Sequence, residues 1–365
     1  MIWIDITDPK YALFFRELIP HLKTLDSLII TTRKSQGYEE CAILLQKFNI
    51  KALCIGGYGG KDIKDKFKAR LARQEEFLKL FEKIGLPKLF ITGASADGAQ
   101  SAFGLGIPIV HFSDTPIASY RFKPSDITIL SRLTLPLSTL IFHPFVVPKS
   151  VYKAFGIESK NIISYDFIDV ALWLTQIPPK TESKNPLRLK FGFDEKPIIL
   201  AREEEYKAHY VKQHLSVLYD ALESLATNNK ANIIIIPRYE SDIQRFHHFH
   251  RITILKEKLF VEEFYPYIDM LIGGGGTMNL EACFLGIPTI STRSLWLYHD
   301  KYLIDNHLMK HCVSVDEVMQ TFLEFEKKNF KRTDNKKFFF HKYRKHHKTP
   351  NITTIINEIK KRFYY

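Results

Sequence analysis

Apolar runs of strand length alternate with segments of helical spacing along most of this chain. Ile2–Ile6 reads as a strand, Tyr11–Lys23 as a helix, Ser27–Thr32 as a strand and Gly37–Phe48 as a helix. Ala52–Ile55 is the next strand and ends in Gly56-Gly57-Tyr58-Gly59-Gly60. Lys61–Arg73 places Ile63, Phe67 and Leu71 at every fourth position, and Leu78 continues the stripe, which predicts an amphipathic helix with a cationic outer face. Strand Leu89–Thr92, a helix near Ala96–Gly104 and strand Ile107–Phe112 follow. This rhythm predicts a parallel sheet with helices on both faces, with ligands met at the carboxyl ends of its strands.

The rhythm weakens where Pro144, Pro148, Pro178, Pro179, Pro186 and Pro197 punctuate the chain and Lys180–Lys190 turns polar. A linker over 166–196 is expected there, between a first domain at 1–165 and a second at 197–349. A second series then runs strand Ile198–Leu200, helix Tyr210–Ala226, strand Asn232–Ile236, helix Glu240–Phe246, strand Ile252–Leu255 and helix Val261–Tyr267. Strand Met270–Ile272, helix Asn279–Leu285 and strand Pro288–Ser291 complete it. The fold class is therefore α/β, with two doubly wound parallel sheets. A length of 365 residues suits two cores.

Charge changes the picture next. The formal net charge of +12 suits an anionic partner, and the cations gather in Lys61–Arg73 and Lys327–Lys348. The second stretch interleaves Phe330, Phe338, Phe339, Phe340 and Tyr343 with Lys and Arg, as a bilayer interface would favour. Three readings stay open: solvated faces, an anionic inner-membrane surface, or nucleic acid. No helix-turn-helix, zinc-finger or RNP-type pattern supports the last, so no nucleic acid is expected. No apolar run reaches the length of a membrane span. Met1-Ile-Trp-Ile-Asp5 reads as a strand and not as a signal peptide, which points to the cytoplasm. Cys41, Cys54, Cys283 and Cys312 form no CxxC pair and read as free thiols.

The sharpest chemical signal is Met270-Leu-Ile-Gly273-Gly274-Gly275-Gly276-Thr277-Met278-Asn279-Leu280-Glu281. A strand runs into four glycines and directly into a helix. Without Cβ atoms a phosphate approaches the backbone N–H groups closely, and the helix N-terminus adds partial positive charge. Thr277 is placed to cap the helix or bond a phosphate oxygen, and Glu281, one turn in, to accept two ribose hydroxyls. Arg202 and Arg238 follow strands and suit a diphosphate, with ion pairs to Glu203–Glu205 or Glu240 as the alternative. Asp114, Asp97 and Asp8 sit in strand-end loops as candidate bases or as helix caps. His247-His248-Phe249-His250 and His346-His347 lack metal-site spacing, and no DxD motif is present, so neither a metal nor a cofactor is expected.

The glycines ahead of a Glu-bearing helix, followed by Leu285-Gly286-Ile287-Pro288-Thr289, resemble the nucleotide-sugar site of MurG-type glycosyltransferases and UDP-N-acetylglucosamine 2-epimerases. More closely, residues 1–315 resemble the DUF354 family. The resemblance rests on Trp3-Ile-Asp5-Ile-Thr7, Phe14-Phe15, Ala102-Phe-Gly-Leu-Gly-Ile-Pro108, Ser113-Asp114-Thr115, Arg132-Leu-Thr-Leu-Pro136, Ile236-Pro-Arg238-Tyr239-Glu240 and Gly273–Glu281. It implies GT-B architecture, two Rossmann-like domains facing a cleft, with a C-terminal helix (350–365) returning to the first. It also implies donor-sugar contacts near His299 and Asp300. The family usually has His where this chain has Tyr11 and often near Gly93, so a histidine base is not expected at either place.

Together these readings predict a metal-independent glycosyltransferase. Its donor would be a nucleotide sugar, most simply a UDP-sugar, and its acceptor a glycan or lipid-linked molecule of cell-surface polysaccharide synthesis. A UDP-sugar epimerase or hydrolase of the same fold is the alternative. A non-enzymatic basic protein binding membrane or nucleic acid is the second.

Overall fold

A computed structural model describes residues 1–60, 62–175, 177, 185–204, 216–237, 244–255, 259–341 and 349–364. Thirteen parallel strands among these residues form two sheets. Met1–Ile117, Phe122–Trp173 and Thr349–Tyr365 make one compact unit, and Ala118–Arg121 with Leu174–Lys348 make the other.

The first sheet contains β1 (Ile2–Ile6), β2 (Leu28–Thr32), β3 (Leu53–Cys54), β4 (Leu89–Thr92), β5 (Ile109–Phe112), β6 (Leu140–Pro144) and β7 (Ile162–Tyr165), in the order β3-β2-β1-β4-β5-β6-β7. Its strand order reverses between β1 and β4, so the loops after those two strands diverge into a crevice. Trp3 on β1 lies against Phe77, Phe81 and Phe90, fixing a long helix, Ile63–Ile84, across one face of the sheet. Helix starts are set locally. Asp8 accepts from the Lys10 amide to cap Pro9–Leu22, Asp62 accepts from Lys64 and Asp65, and Ser95 accepts from Gly98 to open Ala96–Gly104. The helix Ile352–Phe363 packs on Pro9–Leu22, and the Arg362 guanidinium donates to Asn161 Oδ1 and the Lys160 carbonyl, both at 2.7 Å.

The second sheet contains β8 (Ile198–Arg202), β9 (Asn232–Ile236), β10 (Ile252–Ile254), β11 (Met270–Gly273), β12 (Thr289–Ser291) and β13 (Lys310–His311), in the order β10-β9-β8-β11-β12-β13. Ile198–Ala201 and Ile233–Ile235 are buried runs without polar alternation, as strands covered on both faces require. Here the order reverses between β8 and β11, and the four glycines lie at that reversal. The two-sheet plan of the sequence pattern is the plan of the molecule.

Local differences have physical causes. The stripe Ile63, Phe67, Leu71 and Leu78 was expected inward. Instead Arg73 and Phe77 face the sheet, and the stripe lies outside. Arg73 turns inward because its guanidinium meets Asp5 Oδ1 at 2.7 Å and Oδ2 at 2.9 Å, so the basic stretch is not cationic outer face throughout. Strands β6 and β7 lie where proline obscured the alternation. Of the expected Tyr210–Ala226 helix, the described part is Val217–Thr227 with its N-cap Ser216. Residues 210–215 of that expected helix and 240–243 of the expected Glu240–Phe246 helix lie outside the described residues, as do 342–348 of the second basic stretch.

Candidate functional site

Strand β11 delivers Gly273 at the sheet's carboxyl edge, and the helix Gly276–Phe284 begins three residues later. The loop is anchored on both sides: the Gly274 amide donates to the Arg202 carbonyl at 2.8 Å, and the Thr292 amide to the Gly273 carbonyl at 3.2 Å. None of the four glycines has positive φ, so their need arises from close approach and not from backbone conformation. A Cβ on Gly273 would fall 2.2 Å from Asn279 Oδ1, and one on Gly274 2.6 Å from Glu204 Cβ and 2.7 Å from its backbone nitrogen. Those two positions are occupied by the protein itself. Gly275 and Gly276 differ, because a Cβ there would meet only arginine side chains, Arg202 Cγ at 3.3 Å and Arg293 Nη1 at 3.0 Å.

The helix thus opens between two guanidinium-bearing side chains. Gly275 is its N-cap residue, with φ −97° and ψ 129° and no side-chain cap. Thr277 therefore lies inside the first turn and does not cap the helix. First-turn amides have no partner within their own helix. With the helix dipole and arginines alongside, they form a concentration of positive potential suited to phosphate oxygens. Arg202 donates to the Ile236 and Pro237 carbonyls, at 3.2 and 2.9 Å, which holds its guanidinium at the end of β9 while its Cγ borders Gly275.

Glu281 is buried and accepts from the Tyr265 hydroxyl at 2.7 Å. Burial first, and then the Glu281 charge, hold the Tyr265 phenol well above its usual pKa, so it remains a donor. Asp300 accepts from the Leu297 amide at 2.9 Å and from Arg293 Nη1 at 2.8 Å. Its carboxylate thereby both starts the helix Tyr298–Asp305 and orients Arg293 toward the glycines. His299, beside it, is buried. Arg238 lies outside the described residues.

Arg293 and Tyr265, which carry no site assignment in the sequence pattern, complete this region with Glu204, which the sequence offered only within Glu203–Glu205 as an ion-pair partner for Arg202. Glu204 holds the loop after β12 through the Ser294 amide and hydroxyl, the latter at 2.9 Å. Arg293 had a legible signal, since it follows β12 by two residues, the same kind of strand-end position as Arg202.

In the first unit, the three aspartates do not share one environment. Asp8 caps its helix. Asp97, in the first turn of Ala96–Gly104, sits 3.3 Å from Arg73 Nη1 and 3.4 Å from Arg70 Nε. Asp114 lies 2.5 Å from Lys10 Nζ, which also meets Asp169 at 2.5 Å. Burial pulls the Lys10 ammonium downward, but the charges of Asp114 and Asp169 outweigh it and raise its pKa above the ordinary lysine value. Tyr165 donates to Asp169 Oδ1 at 2.5 Å, closing the cluster. Tyr11 and Gly93 are one packing feature: the Tyr11 ring lies where a Gly93 Cβ would be, 2.1 Å from it. No larger side chain fits at 93 while Tyr11 is present. His111, whose Nε2 lies 3.1 Å from the Gly93 carbonyl, is pushed down to about 4 by burial and is neutral at pH 7.

The profile of a family described as protein of unknown function (DUF354) matches residues 1–341. An uncharacterized protein of Methanocaldococcus jannaschii is 29% identical over 321 residues, covering 87% of this chain and 89% of that protein. Among solved structures, UDP-GlcNAc 2-epimerase from Neisseria meningitidis bound to UDP-GlcNAc superposes with a TM-score of 0.74 at 14% identity, over 99% of this chain and all of the other (100%). UDP-GlcNAc 2-epimerase from Methanocaldococcus jannaschii, in complex with UDP-GlcNAc and UDP, gives 0.71 at 15% identity, over 99% of each chain. MurG from Acinetobacter baumannii gives 0.54 at 14% identity, again over 99% of each. These likenesses establish the fold as GT-B.

Proposed function

This chain belongs to the DUF354 family, and from that membership and the glycine-loop geometry we propose that it binds a nucleotide-sugar donor and transfers the sugar to a glycan or lipid-linked acceptor. One observation carries the reading: the partly exposed helix start at Gly275–Gly276, bordered by Arg202 and Arg293 where the second sheet reverses its strand order. A diphosphate leaving group gains negative charge as the glycosidic bond breaks. Preorganised N–H donors and guanidinium groups stabilise that charge without reorganisation. Since these groups supply the positive potential, the reaction is assigned as metal-independent, and turnover is expected to survive excess EDTA.

Glu281 is assigned to the ribose, with Tyr265 holding its carboxylate in place. Glu281→Gln is expected to weaken UDP binding by about 1–3 kcal/mol while leaving inorganic pyrophosphate nearly unaffected. Calorimetric titration of both ligands checks this, and equal losses would place Glu281 away from the nucleoside. Asp114 is assigned as the acceptor base. It pairs with Lys10 and is more exposed than Asp169, whereas Asp8 and Asp97 are engaged in capping and arginine pairing.

The higher superposition on the epimerases favours a second reading, in which the same site isomerises or hydrolyses the nucleotide sugar. Incubation with a panel of nucleotide sugars separates the two. Nucleotide release that requires a glycan acceptor supports transfer. Release or isomerisation without acceptor supports the second reading.

A further inference from the structure

The helix Ile63–Ile84 turns Ile63, Phe67 and Leu71 outward, at 72%, 55% and 51% exposure, and Leu78 is exposed along the same line. The stripe spans fifteen residue steps, about 23 Å of helix. Gln74 Nε2 donates to Gln100 Oε1 at 3.4 Å, tying this helix to Ala96–Gly104. One turn beyond that contact on each helix stand Leu78 and Phe103, both exposed, so the apolar surface continues across two helices. Contiguous surface of this kind marks an interaction face.

The charges along the stripe specify its partner. Lys64, Lys68, Glu75 and Glu82 follow one another at i, i+4, i+11 and i+18, which places all four on one line bordering the apolar residues. All four are exposed. The line is cationic at its start and anionic at its end. Glu75 pairs with Lys79 at 2.6 Å, and Lys68 lies 3.6 Å from Asp65. An anionic bilayer would meet Glu75 and Glu82 with repulsion. A second copy of the same helix, running antiparallel about a twofold axis near Leu71 and Gln74, sets Lys64 against Glu82 at both ends and closes the two apolar stripes together. Such an interface is self-complementary, as a twofold contact requires.

We infer that the chain associates as a twofold homodimer through the outward face of Ile63–Ile84, extended by Phe103. The exposed stripe and its polarity of charge carry this, independently of any ligand at the glycine loop.

Light scattering coupled to size exclusion, on the full chain at micromolar concentration, tests it. The expected mass is twice 42.6 kDa. Lys64→Glu and Glu82→Lys are each expected to raise the dimer dissociation constant by about tenfold at low salt, and the two together to restore it, because both twofold-related pairs are then rebuilt in reverse. Phe67→Glu is expected to give a monomer whose far-UV spectrum and melting temperature match those of the unassociated wild type at high dilution. A monomeric wild type overturns the inference, and so does a dimer indifferent to both reversals and to Phe67→Glu. Flotation of monomeric wild type with phosphatidylserine vesicles, lost in Phe67→Glu, overturns it in favour of a membrane contact.

Discussion

Replacing Lys10 with methionine is expected to cost about 3–5 kcal/mol of folding stability, measured by urea denaturation beside the wild type. Lys10 enters the first unit at the second position of the helix Pro9–Leu22, and its ammonium is the cation between Asp114 and Asp169. Asp169 is almost fully buried, with a side chain only 3% exposed. Methionine keeps most of the volume and removes the charge, leaving a buried carboxylate whose described partner is then the Tyr165 hydroxyl. The penalty arises from that uncompensated charge more than from lost attraction. Adding Asp169→Asn to Lys10→Met should therefore recover a substantial part of the loss, although it removes a second member of the cluster. A Lys10→Met cost below about 1 kcal/mol would mean that water reaches both carboxylates and the ion pairs behave as surface pairs.

Lys10 also shows where sequence reading stops. Asp114 was legible as a strand-end carboxylate, because β5 is an apolar run whose end is plain. Its partners come from the start of the first helix and from beyond β7, and no local spacing links residues 10, 114 and 169. The same holds at the glycine loop. The strand, the glycines and the helix are contiguous and periodic, so their order could be read directly. Arg293, Glu204 and Tyr265 reach the loop from three other segments. Strand β6 was harder, since Leu140–Pro144 ends in His143-Pro144 and resembles the surrounding proline-rich chain. The helix Ile63–Ile84 misled for another reason. Its apolar stripe has ordinary core-facing periodicity, and the buried Asp5 that recruits Arg73 inward lies 68 residues away. Tyr11 and Gly93 read as two separate departures from the family pattern. In the fold they form one contact, because the ring of the first fills the space that any side chain at the second would need.

The glycines give the largest effect on ligand binding, and two adjacent substitutions separate folding from recognition. UDP at a hundredfold excess over its dissociation constant is expected to stabilise the native state by about 2.7 kcal/mol, which a melting curve resolves. Gly275→Val is expected to abolish that shift. Its backbone conformation is open to any L residue, and the nearest obstacle to a Cβ is the flexible Arg202 side chain at 3.3 Å, so the unliganded protein should lose only about 1 kcal/mol as the cap changes. The valine methyls would stand where a phosphate must approach the first-turn amides. Gly274→Ala is expected to behave differently. A Cβ there meets the Glu204 backbone nitrogen at 2.7 Å and its Cα at 2.8 Å, and neither can move without displacing the loop after β8. About 3 kcal/mol of stability should be lost whether or not UDP is present. If Gly275→Val retains the full UDP shift, the helix start is not the phosphate site. If UDP shifts neither this variant nor the wild type, the nucleotide reading fails while the packing account of Gly274 is still tested by its own melting curve.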